Sequence, residues 1–257
     1  EIPLRLVGSE MCIRDRKNMN SLAKPKRVKT NLLNHPGTSK IYPEPLGNTL
    51  IIGAWNYPYQ LTLSPAVAAI AAGNTVIAKP SEIAANTMQV MAKIINENFN
   101  PDVFYCMEGG IEETTEILKE KFDKIFFTGS TRVGKIIYEA AAKHLTPVTL
   151  ELGGKSPAIV TKNSDYKIAA KRIVWGKFLN AGQTCVAPDY VLVDQSIEEK
   201  FLEYLKEYIV EFNYREGSEH YTRIINRRNF SRLTNLIHKE KILSLIHISE
   251  PTRRRGI

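Results

Sequence analysis

One cysteine of the chain has neighbours that suit a reactive thiol better than a core position. Cys185 ends the run Asn-Ala-Gly-Gln-Thr-Cys at 180–185, which is made of small and polar residues. A thiolate on such a loop can attack an electrophilic carbon, whereas most unpaired cysteines only fill apolar cores. Cys106, in Val-Phe-Tyr-Cys-Met at 103–107, has the apolar neighbours of a core cysteine. We therefore interpret Cys185 as the candidate nucleophile.

A glutamate and an asparagine follow segments that are typical of buried strands. Glu151 lies in Thr-Leu-Glu-Leu-Gly-Gly at 149–154. A carboxylate in such an apolar setting should resist ionisation, as a general base near neutral pH requires. The alternative is a salt-bridged glutamate at a strand end. Asn56 could donate its amide to a developing oxyanion, although its own segment alone favours an Asx-type turn before Pro58.

A glycine-containing turn lies between a predicted strand and a predicted helix, where backbone N–H groups can contact phosphate. The residues from Gly129 to Lys135 fit the start of a P-loop, G-x-x-x-x-G-K. Ile136, however, stands where that motif needs Ser or Thr to hold Mg²⁺. The dinucleotide fingerprint G-x-G-x-x-G also fails, because Thr131 occupies the place of its second glycine. Taken alone, the turn predicts only a connection from strand to helix.

Short β-rich runs alternate with helical runs along most of the chain. The predicted strands are 48–53, 75–78, 103–107, 124–128, 148–151, 158–160 and 190–193. The predicted helices are 63–72, 83–99, 113–120, 131–144, 165–178 and 197–212, with a loop at 179–188. This alternation indicates right-handed crossovers and a parallel sheet covered on both faces. The predicted fold class is therefore α/β, with a change of domain near Gly153.

The composition excludes several classes of protein. With 43% hydrophobic and 24% charged residues among 257, the chain as a whole is not disordered, collagen-like or a coiled coil. No run approaches the roughly 18 apolar residues that cross a bilayer, so we expect no membrane contact by this stretch of chain. Three cysteines argue against a secreted disulfide framework, and a reducing cytoplasm is the expected location. The net charge of +8 comes from scattered residues, which favours a solvated surface over a nucleic-acid partner.

The two ends differ from the rest of the chain. Residues 1–16 and 243–257 show neither helical nor strand periodicity, and both resemble peptides translated from sequencing-library adapters. We expect them to be non-native and exclude them from the fold. Native ends with a leading signal peptide are the alternative, but charged residues interrupt 7–16, where such a peptide needs an apolar region. The remainder is expected to be an internal piece of a longer protein.

Five motifs together resemble the aldehyde dehydrogenase superfamily. They are Trp-Asn-Tyr-Pro at 55–58, Ala-Lys-Pro-Ser-Glu at 78–82, Phe-Thr-Gly-Ser-Thr at 127–131, Glu-Leu-Gly-Gly-Lys-Ser-Pro at 151–157 and Gly-Gln-Thr-Cys at 182–185. Their order and spacing agree with that family as well as their letters. The stretches 140–149 and 221–226 resemble its class 3 branch, which acts on fatty and aromatic aldehydes. The resemblance covers about Val28 to Lys241.

The resemblance implies a catalytic role for three residues. Cys185 would attack the aldehyde as a thiolate and form a thiohemiacetal, whose oxyanion the Asn56 amide and the Cys185 N–H would bind. Loss of hydride to the nicotinamide would leave a thioester. Glu151 would then activate the water that releases the carboxylic acid.

The resemblance also implies NAD as cofactor, with NADP as an alternative. Lys79 and Glu82 would bind the adenine-side ribose, and Trp55 would pack near the cofactor. The turn from Gly129 through Ser130 to Gly134 would line the pyrophosphate as this family's own variant of the Rossmann turn. Residues 17–152 would then be a Rossmann-like NAD(P)-binding domain, and residues 153–242 the start of an α/β catalytic domain.

Further expectations follow from what the family carries and this chain does not. A downstream Glu-x-Phe segment and the rest of the catalytic domain do not follow Lys241, so we expect the 257 residues alone to be poorly active. The intact parent is expected to be a homodimer that acts on a small aldehyde. Two other functions stay open. One is an acylating enzyme that passes the thioester to phosphate or coenzyme A, which Glu151 disfavours, and the other is a non-catalytic nucleotide-binding chain.

Overall fold

The chain divides into two units, each with a core of its own. The structure is a computed structural model and describes residues 19–215 and 217–237. The first unit ends at Leu152 and the second begins at Gly153. Residues 1–16 and 243–257, which we expect to be non-native, lie outside the described residues.

A five-stranded parallel sheet forms the centre of the first unit. A short antiparallel pair, β1 (Lys26–Val28) and β2 (Ser39–Ile41), comes before it in the chain. The strands of the sheet are β3 (Asn48–Ile52), β4 (Thr75–Lys79), β5 (Phe104–Cys106), β6 (Lys124–Thr128) and β7 (Val148–Glu151). In space their order is β5-β4-β3-β6-β7, with every neighbouring pair parallel.

Helices cover both faces of this sheet. They are α1 (Pro58–Ala71), α2 (Ala85–Asn98), α3 (Ile111–Ile117) and α4 (Thr131–Ala142). Side chains alternate between the faces of a strand. Ile51 of β3 accordingly packs in one cluster with Ala66 of α1 and Met91 of α2, while its neighbours Leu50 and Ile52 pack in another with residues of α4. The nearly continuous apolar run of β3 therefore reflects burial on both sides.

The chain reverses direction across the sheet at β3. From β3 it moves outwards through β4 to β5, and it then returns to the other side of β3 to add β6 and β7. The loops that follow β3 and β6 therefore lead to opposite faces of the sheet. In open α/β sheets this arrangement leaves a crevice beyond the carboxyl ends of the two strands, where ligands bind.

The second unit is built on a parallel pair of strands, β8 (Ser156–Val160) and β9 (Pro188–Val193). Its helices are α5 (Tyr166–Phe178), α6 (Glu198–Glu211) and α7 (Arg227–Asn235). Val160, Val174 and Phe201 are among the residues of its core. Aromatic rings extend this core at the end of α5, where Phe178 stacks on Tyr214 with ring centroids 5.1 Å apart.

The predicted α/β class with a parallel sheet is confirmed, and β6 and β7 have the predicted bounds. The helix predicted at 113–120 lies instead at Ile111–Ile117. The Glu113 carboxylate accepts the N–H of Gly110 at 2.6 Å, which starts the helix earlier. The helix predicted at 63–72 begins at Pro58, since the fixed φ of proline suits a first helical position.

Three elements, β1, β2 and α7, are not predicted by the sequence pattern. The strands β1 and β2 have three residues each and are mostly exposed, so no apolar alternation marks them. The helix α7 is rich in arginine and asparagine and carries only Phe230 and Leu233 as large apolar residues. Within the described residues, no helix has both the length and the apolar character needed to cross a membrane.

Candidate active site

The loop that carries Cys185 begins with a left-handed turn. The helix α5 ends at Phe178, and the next residues form a 3₁₀ turn, Leu179–Gly182. Asn180, Ala181 and Gly182 have φ angles of 53°, 52° and 73°. A left-handed conformation costs a residue with a Cβ roughly 1–2 kcal/mol, so Ala181 stores strain. Strain of this kind is typical of functional sites, where surrounding contacts hold it in place.

The two described cysteines lie in opposite environments. Cys185 is exposed, and its thiol is not part of a disulfide. Cys106 is completely buried in the core of the first unit. Burial, with a smaller contribution from the charge of Glu108, raises the pKa of the Cys106 thiol to about 12. Because the thiolate is the reactive form, Cys106 is inert in the folded chain, as its apolar neighbours predicted.

A glycine allows close approach to the backbone of Cys185. A Cβ built on Gly154 would stand 2.6 Å from the carbonyl oxygen of Cys185, so any larger residue at 154 displaces this loop. The next residue, Lys155, forms an ion pair with Asp189 at 3.0 Å. Lys155 is highly exposed, so this pair adds little stability. The position of the Cys185 loop therefore depends on the small size of Gly154, which the motif alone does not reveal.

Gln183 connects the same loop with a distant segment. Its side-chain amide bonds to the backbone of Asn180, Arg223 and Ile225. In the sequence, Gln183 stands out only as part of the motif Gly-Gln-Thr-Cys at 182–185. Nothing local in the sequence signals these bonds, because two of the three partners lie 40 or more residues further along the chain.

The predicted apolar setting of Glu151 is wrong. Glu151 is the last residue of β7, which is an edge strand of the sheet, and its side chain is exposed. Its backbone carbonyl accepts the N–H of Gly129 at 2.9 Å. Water therefore reaches the Glu151 carboxylate directly, and a base role for it must rest on that access and not on an apolar pocket.

Trp55 and Asn56 lie in the turn between β3 and α1, and both are half-buried. The turn is tight because Gly53 packs against the Thr62 hydroxyl of α1, where a Cβ would overlap it. Thr62 is fully buried, and its hydroxyl donates to the carbonyl oxygen of Pro58 at 2.7 Å. The start of α1 thus fixes the turn that carries Asn56.

Lys79 and Glu82, which the resemblance assigns to the adenine-side ribose, form an ion pair with each other. Lys79 is the last residue of β4 and only 2% exposed. Its Nζ lies 3.2 Å from Glu82 Oε2 and 3.2 Å from the carbonyl oxygen of Pro80. A buried ammonium group requires such partners. Ser81 caps the short 3₁₀ turn Glu82–Ala84, and its hydroxyl accepts the N–H of Ile83 at 3.3 Å.

The glycine-containing turn connects β6 with α4. Ser130 is the N-cap of α4, and its hydroxyl accepts the N–H of Val133 at 3.3 Å. Gly134 is buried in the first turns of the helix, and a Cβ there would stand 3.0 Å from Leu152 Cδ2. Gly129 packs against the ring of Phe127. The turn therefore brings the positive end of a helix to the carboxyl edge of the sheet, where an anion is stabilised.

A buried hydroxyl lies beside this turn without a partner among the described residues. Thr128 ends β6 and is 9% exposed, and its Oγ1 has no hydrogen bond there. A buried hydroxyl without a hydrogen-bond partner is unfavourable. The Thr128 hydroxyl is therefore available to bond water or a ligand at the crevice between β3 and β6.

Comparison with known proteins agrees with these features. Residues 17–245 match the aldehyde dehydrogenase family. Aldehyde dehydrogenase family 3 member A2 of Pongo abelii is 50% identical over 240 residues, which cover 92% of this chain and 49% of that protein. The "Aldehyde dehydrogenase, dimeric NADP-preferring" of Mus musculus is 54% identical over 204 residues, which cover 79% of this chain and 45% of that protein.

A solved structure shows the same fold. The structure described as the substrate bound state of Staphylococcus aureus AldH superposes with a TM-score of 0.82 at 46% identity. The match covers 92% of this chain and 51% of that chain, so the present chain spans about half the length of its relatives. The resemblance to class 3 proteins is confirmed by these identities. The chain belongs to the aldehyde dehydrogenase family.

Proposed function

We propose that this protein oxidises an aldehyde to a carboxylic acid, with NAD or NADP as hydride acceptor and Cys185 as nucleophile. The observation that carries the proposal is the exposed Cys185 thiol on a strained loop, in a chain of this family. The second described thiol, Cys106, is buried and cannot serve.

The first step joins the substrate to the protein. The Cys185 thiolate attacks the carbonyl carbon of the aldehyde, and the new C–S bond gives a thiohemiacetal whose oxygen carries the negative charge. The Asn56 amide and the Cys185 backbone N–H donate hydrogen bonds to this oxygen. Both donors belong to turns that are held by close packing, at Gly53 and at Gly154.

The second step releases the product. A bound nicotinamide would supply the hydride acceptor for oxidation of the thiohemiacetal, and Cys185 would then carry a thioester. Glu151 removes a proton from water, which attacks the thioester carbon and frees the acid and the Cys185 thiolate. The exposure of Glu151 supports this role, because water has direct access to it.

The first unit offers a suitable cofactor site. Lys79 and Glu82 would bind the hydroxyls of the adenine-side ribose, and Trp55 would pack beside the cofactor. Gly129, Ser130 and the first turn of α4 as far as Gly134 would bind the pyrophosphate at a helix N-terminus. The Thr128 hydroxyl, which has no hydrogen-bond partner within residues 19–215 and 217–237, is available to a cofactor bound in this crevice.

The choice between NAD and NADP depends on Glu82. A carboxylate at the ribose opposes a 2′-phosphate, so we propose NAD as the better cofactor. NADP remains the second cofactor, because a relative with 54% identity is named NADP-preferring. The same name describes that relative as dimeric, and this supports our proposal of a homodimer. The free thiols of Cys106 and Cys185 support a reducing compartment such as the cytoplasm.

The decisive experiment is a single-turnover assay of the purified chain. We expect aldehyde and NAD together to produce reduced nicotinamide in up to one equivalent, and Cys185→Ser to abolish it. Oxygen-labelled water should place one labelled atom in the acid. A requirement for phosphate or coenzyme A would show the acylating reaction instead. Cofactor binding without any aldehyde-dependent reduction would favour a non-catalytic nucleotide-binding chain.

We further propose that the 257 residues alone turn over slowly, because the chain spans about half the length of its relatives. Turnover near the ~10 s⁻¹ of a typical enzyme would contradict this part of the proposal. Gel filtration of the intact parent tests the homodimer.

A further inference from the structure

The side-chain amide of Gln183 joins two segments of the second unit. Its Nε2 donates to the carbonyl oxygens of Asn180 at 3.0 Å and Arg223 at 3.1 Å. Its Oε1 accepts the backbone N–H of Ile225 at 2.9 Å. A primary amide carries two N–H donors and one carbonyl acceptor. Gln183 therefore uses both donors and its acceptor on backbone groups.

Residues 221–226, which contain the partners Arg223 and Ile225, are held in place by packing and by a helix cap. Tyr221 packs against Phe178 with ring centroids 5.9 Å apart. Ile224 is buried, and Asn226 caps α7 by accepting the N–H of Asn229 at 2.9 Å. The carbonyl of Arg223 and the N–H of Ile225 flank Ile224. This segment is one of the two class 3-like stretches of the sequence, and no step of the reaction uses it.

The segment just before Gln183 has a strained backbone and requires surrounding contacts to stay in that conformation. The left-handed turn Asn180, Ala181 and Gly182 lies immediately before Gln183. The backbone N–H of Gln183 also donates to the Asn180 carbonyl oxygen, at 3.0 Å. A strained turn persists only where surrounding contacts determine it. Cys185 lies three residues after the end of this turn, so relaxation of the turn would move the thiol.

We infer that Gln183 is a positioning residue for Cys185, because its amide fastens the left-handed turn to the backbone at Arg223 and Ile225. This inference rests on the proposed function, since the place of the thiol matters only if Cys185 attacks the aldehyde. Gln183 touches neither substrate nor cofactor in this role. It sets the position of the Cys185 thiol and of the N–H that binds the oxyanion.

Two substitutions separate the donor bonds of the Gln183 amide from its acceptor bond. Gln183→Met has a similar length and removes all three hydrogen bonds. Gln183→Glu keeps the acceptor for the Ile225 N–H but removes both donors and places a carboxylate beside two carbonyl oxygens. Protonation of that glutamate restores one donor. The defect of Gln183→Glu, measured against the native chain at the same pH, should therefore be smaller near about pH 5.5 than near about pH 8.

The first measurement is the rate of the aldehyde-dependent burst of reduced nicotinamide. We expect Gln183→Met to lower this rate at least about tenfold, which corresponds to about 1.4 kcal/mol. The dissociation constant for NAD should stay within about twofold, because the first unit is unchanged. Gln195→Met, at an exposed position in the same unit, is the matched control and should leave the burst unchanged.

The second measurement is hydrogen exchange of the two joined segments. In Gln183→Met, peptides that cover 180–185 and 223–225 should lose protection together, and in Gln195→Met neither should. A burst rate and exchange within about twofold of the native chain in both Gln183 variants would overturn the inference. So would global unfolding of both variants, since the amide would then be needed for folding and not for placing the thiol.

The same data separate this inference from the proposed function. If the native chain gives no aldehyde-dependent burst, the proposed function fails and the positioning role fails with it. The exchange data then still show whether the amide joins the two segments. If the native chain gives a burst and the Gln183 variants match it, only the positioning role is wrong.

Discussion

The α-carbon of Gly154 lies so close to the backbone of Cys185 that a Cβ at residue 154 would stand 2.6 Å from the Cys185 carbonyl oxygen. Gly154→Ala must therefore displace the loop of the nucleophile. We expect the aldehyde-dependent burst to slow by about tenfold or more, since misplacement of a reacting group by about 1 Å can cost a hundredfold. Binding of NAD, measured by fluorescence, should not change.

The neighbouring glycine supplies the control for this substitution. A Cβ at Gly153 would meet no atom within 4 Å. Gly153→Ala should therefore keep the native burst rate. Equal effects of the two alanines would mean that the close contact at Gly154 does not set the position of Cys185.

The contrast between the described thiols predicts selective alkylation. With a pKa of about 12, Cys106 has only about one thiolate in ten thousand molecules near pH 8. Iodoacetamide should therefore modify Cys185 and spare Cys106 in the folded chain, as peptide mass mapping would show. In denaturant both should react. Modification of Cys106 under native conditions would contradict its burial.

Glu82→Gln tests the charge at the ribose. Removing the carboxylate removes its opposition to a 2′-phosphate, so preference for NADP over NAD should rise by about tenfold, or about 1.4 kcal/mol. Buried Lys79 loses its ionic partner, and because Glu82 is partly exposed we expect a cost of only about 1 kcal/mol. That corresponds to a Tm lower by about 2–4 °C for a chain of this size.

Glu139→Gln, at an exposed position of α4, is the control for charge removal in the same unit. It should change neither the cofactor preference nor the Tm. A shift of preference in Glu139→Gln equal to that in Glu82→Gln would show a general effect of net charge.

Glu113 should contribute to stability in a pH-dependent way. Hydrogen bonds from the backbone N–H groups of Glu113 and Gly110, with help from the charge of Lys79, hold the pKa of the Glu113 carboxyl below its usual 4.5. A lowered pKa means that the ionised group stabilises the fold above about 4.5 and that this contribution disappears as the pH falls through the lower, folded value.

The measurement that tests this is the urea concentration at the midpoint of unfolding, determined from about pH 7 to below about pH 4.5. Glu113→Ala should unfold at lower urea than the native chain near about pH 7, and the gap should close below about pH 4.5. Glu112→Ala, on the same first turn of α3, serves as control. A gap for Glu113→Ala that stays constant down to acid pH would be incompatible with the lowered pKa.

Much of the first unit could be predicted because its signals are local. The apolar run at β3 and the turn residues beside it mark a strand, and Ser81 marks the beginning of a helical segment. The exposure of Glu151 could not be predicted, because it depends on β7 being an outer strand of the sheet. The hydrogen bonds of Gln183 could not be predicted either, because its partner Arg223 lies 40 residues away in the sequence.

The order of strands in the sheet also decides when its central strand is completed. The N–H of Asn48 at the start of β3 donates to Asp123 Oδ2 at 2.8 Å, and 75 residues separate the two. At about 5–20 residues per second, a ribosome needs roughly 4–15 s to supply that partner. Once β4 has been synthesised, β3 can pair with it on one side, while the other edge of β3 stays open for the rest of this interval. An unpaired apolar strand invites association with other chains, so the nascent protein is most exposed to misassembly before β6 emerges.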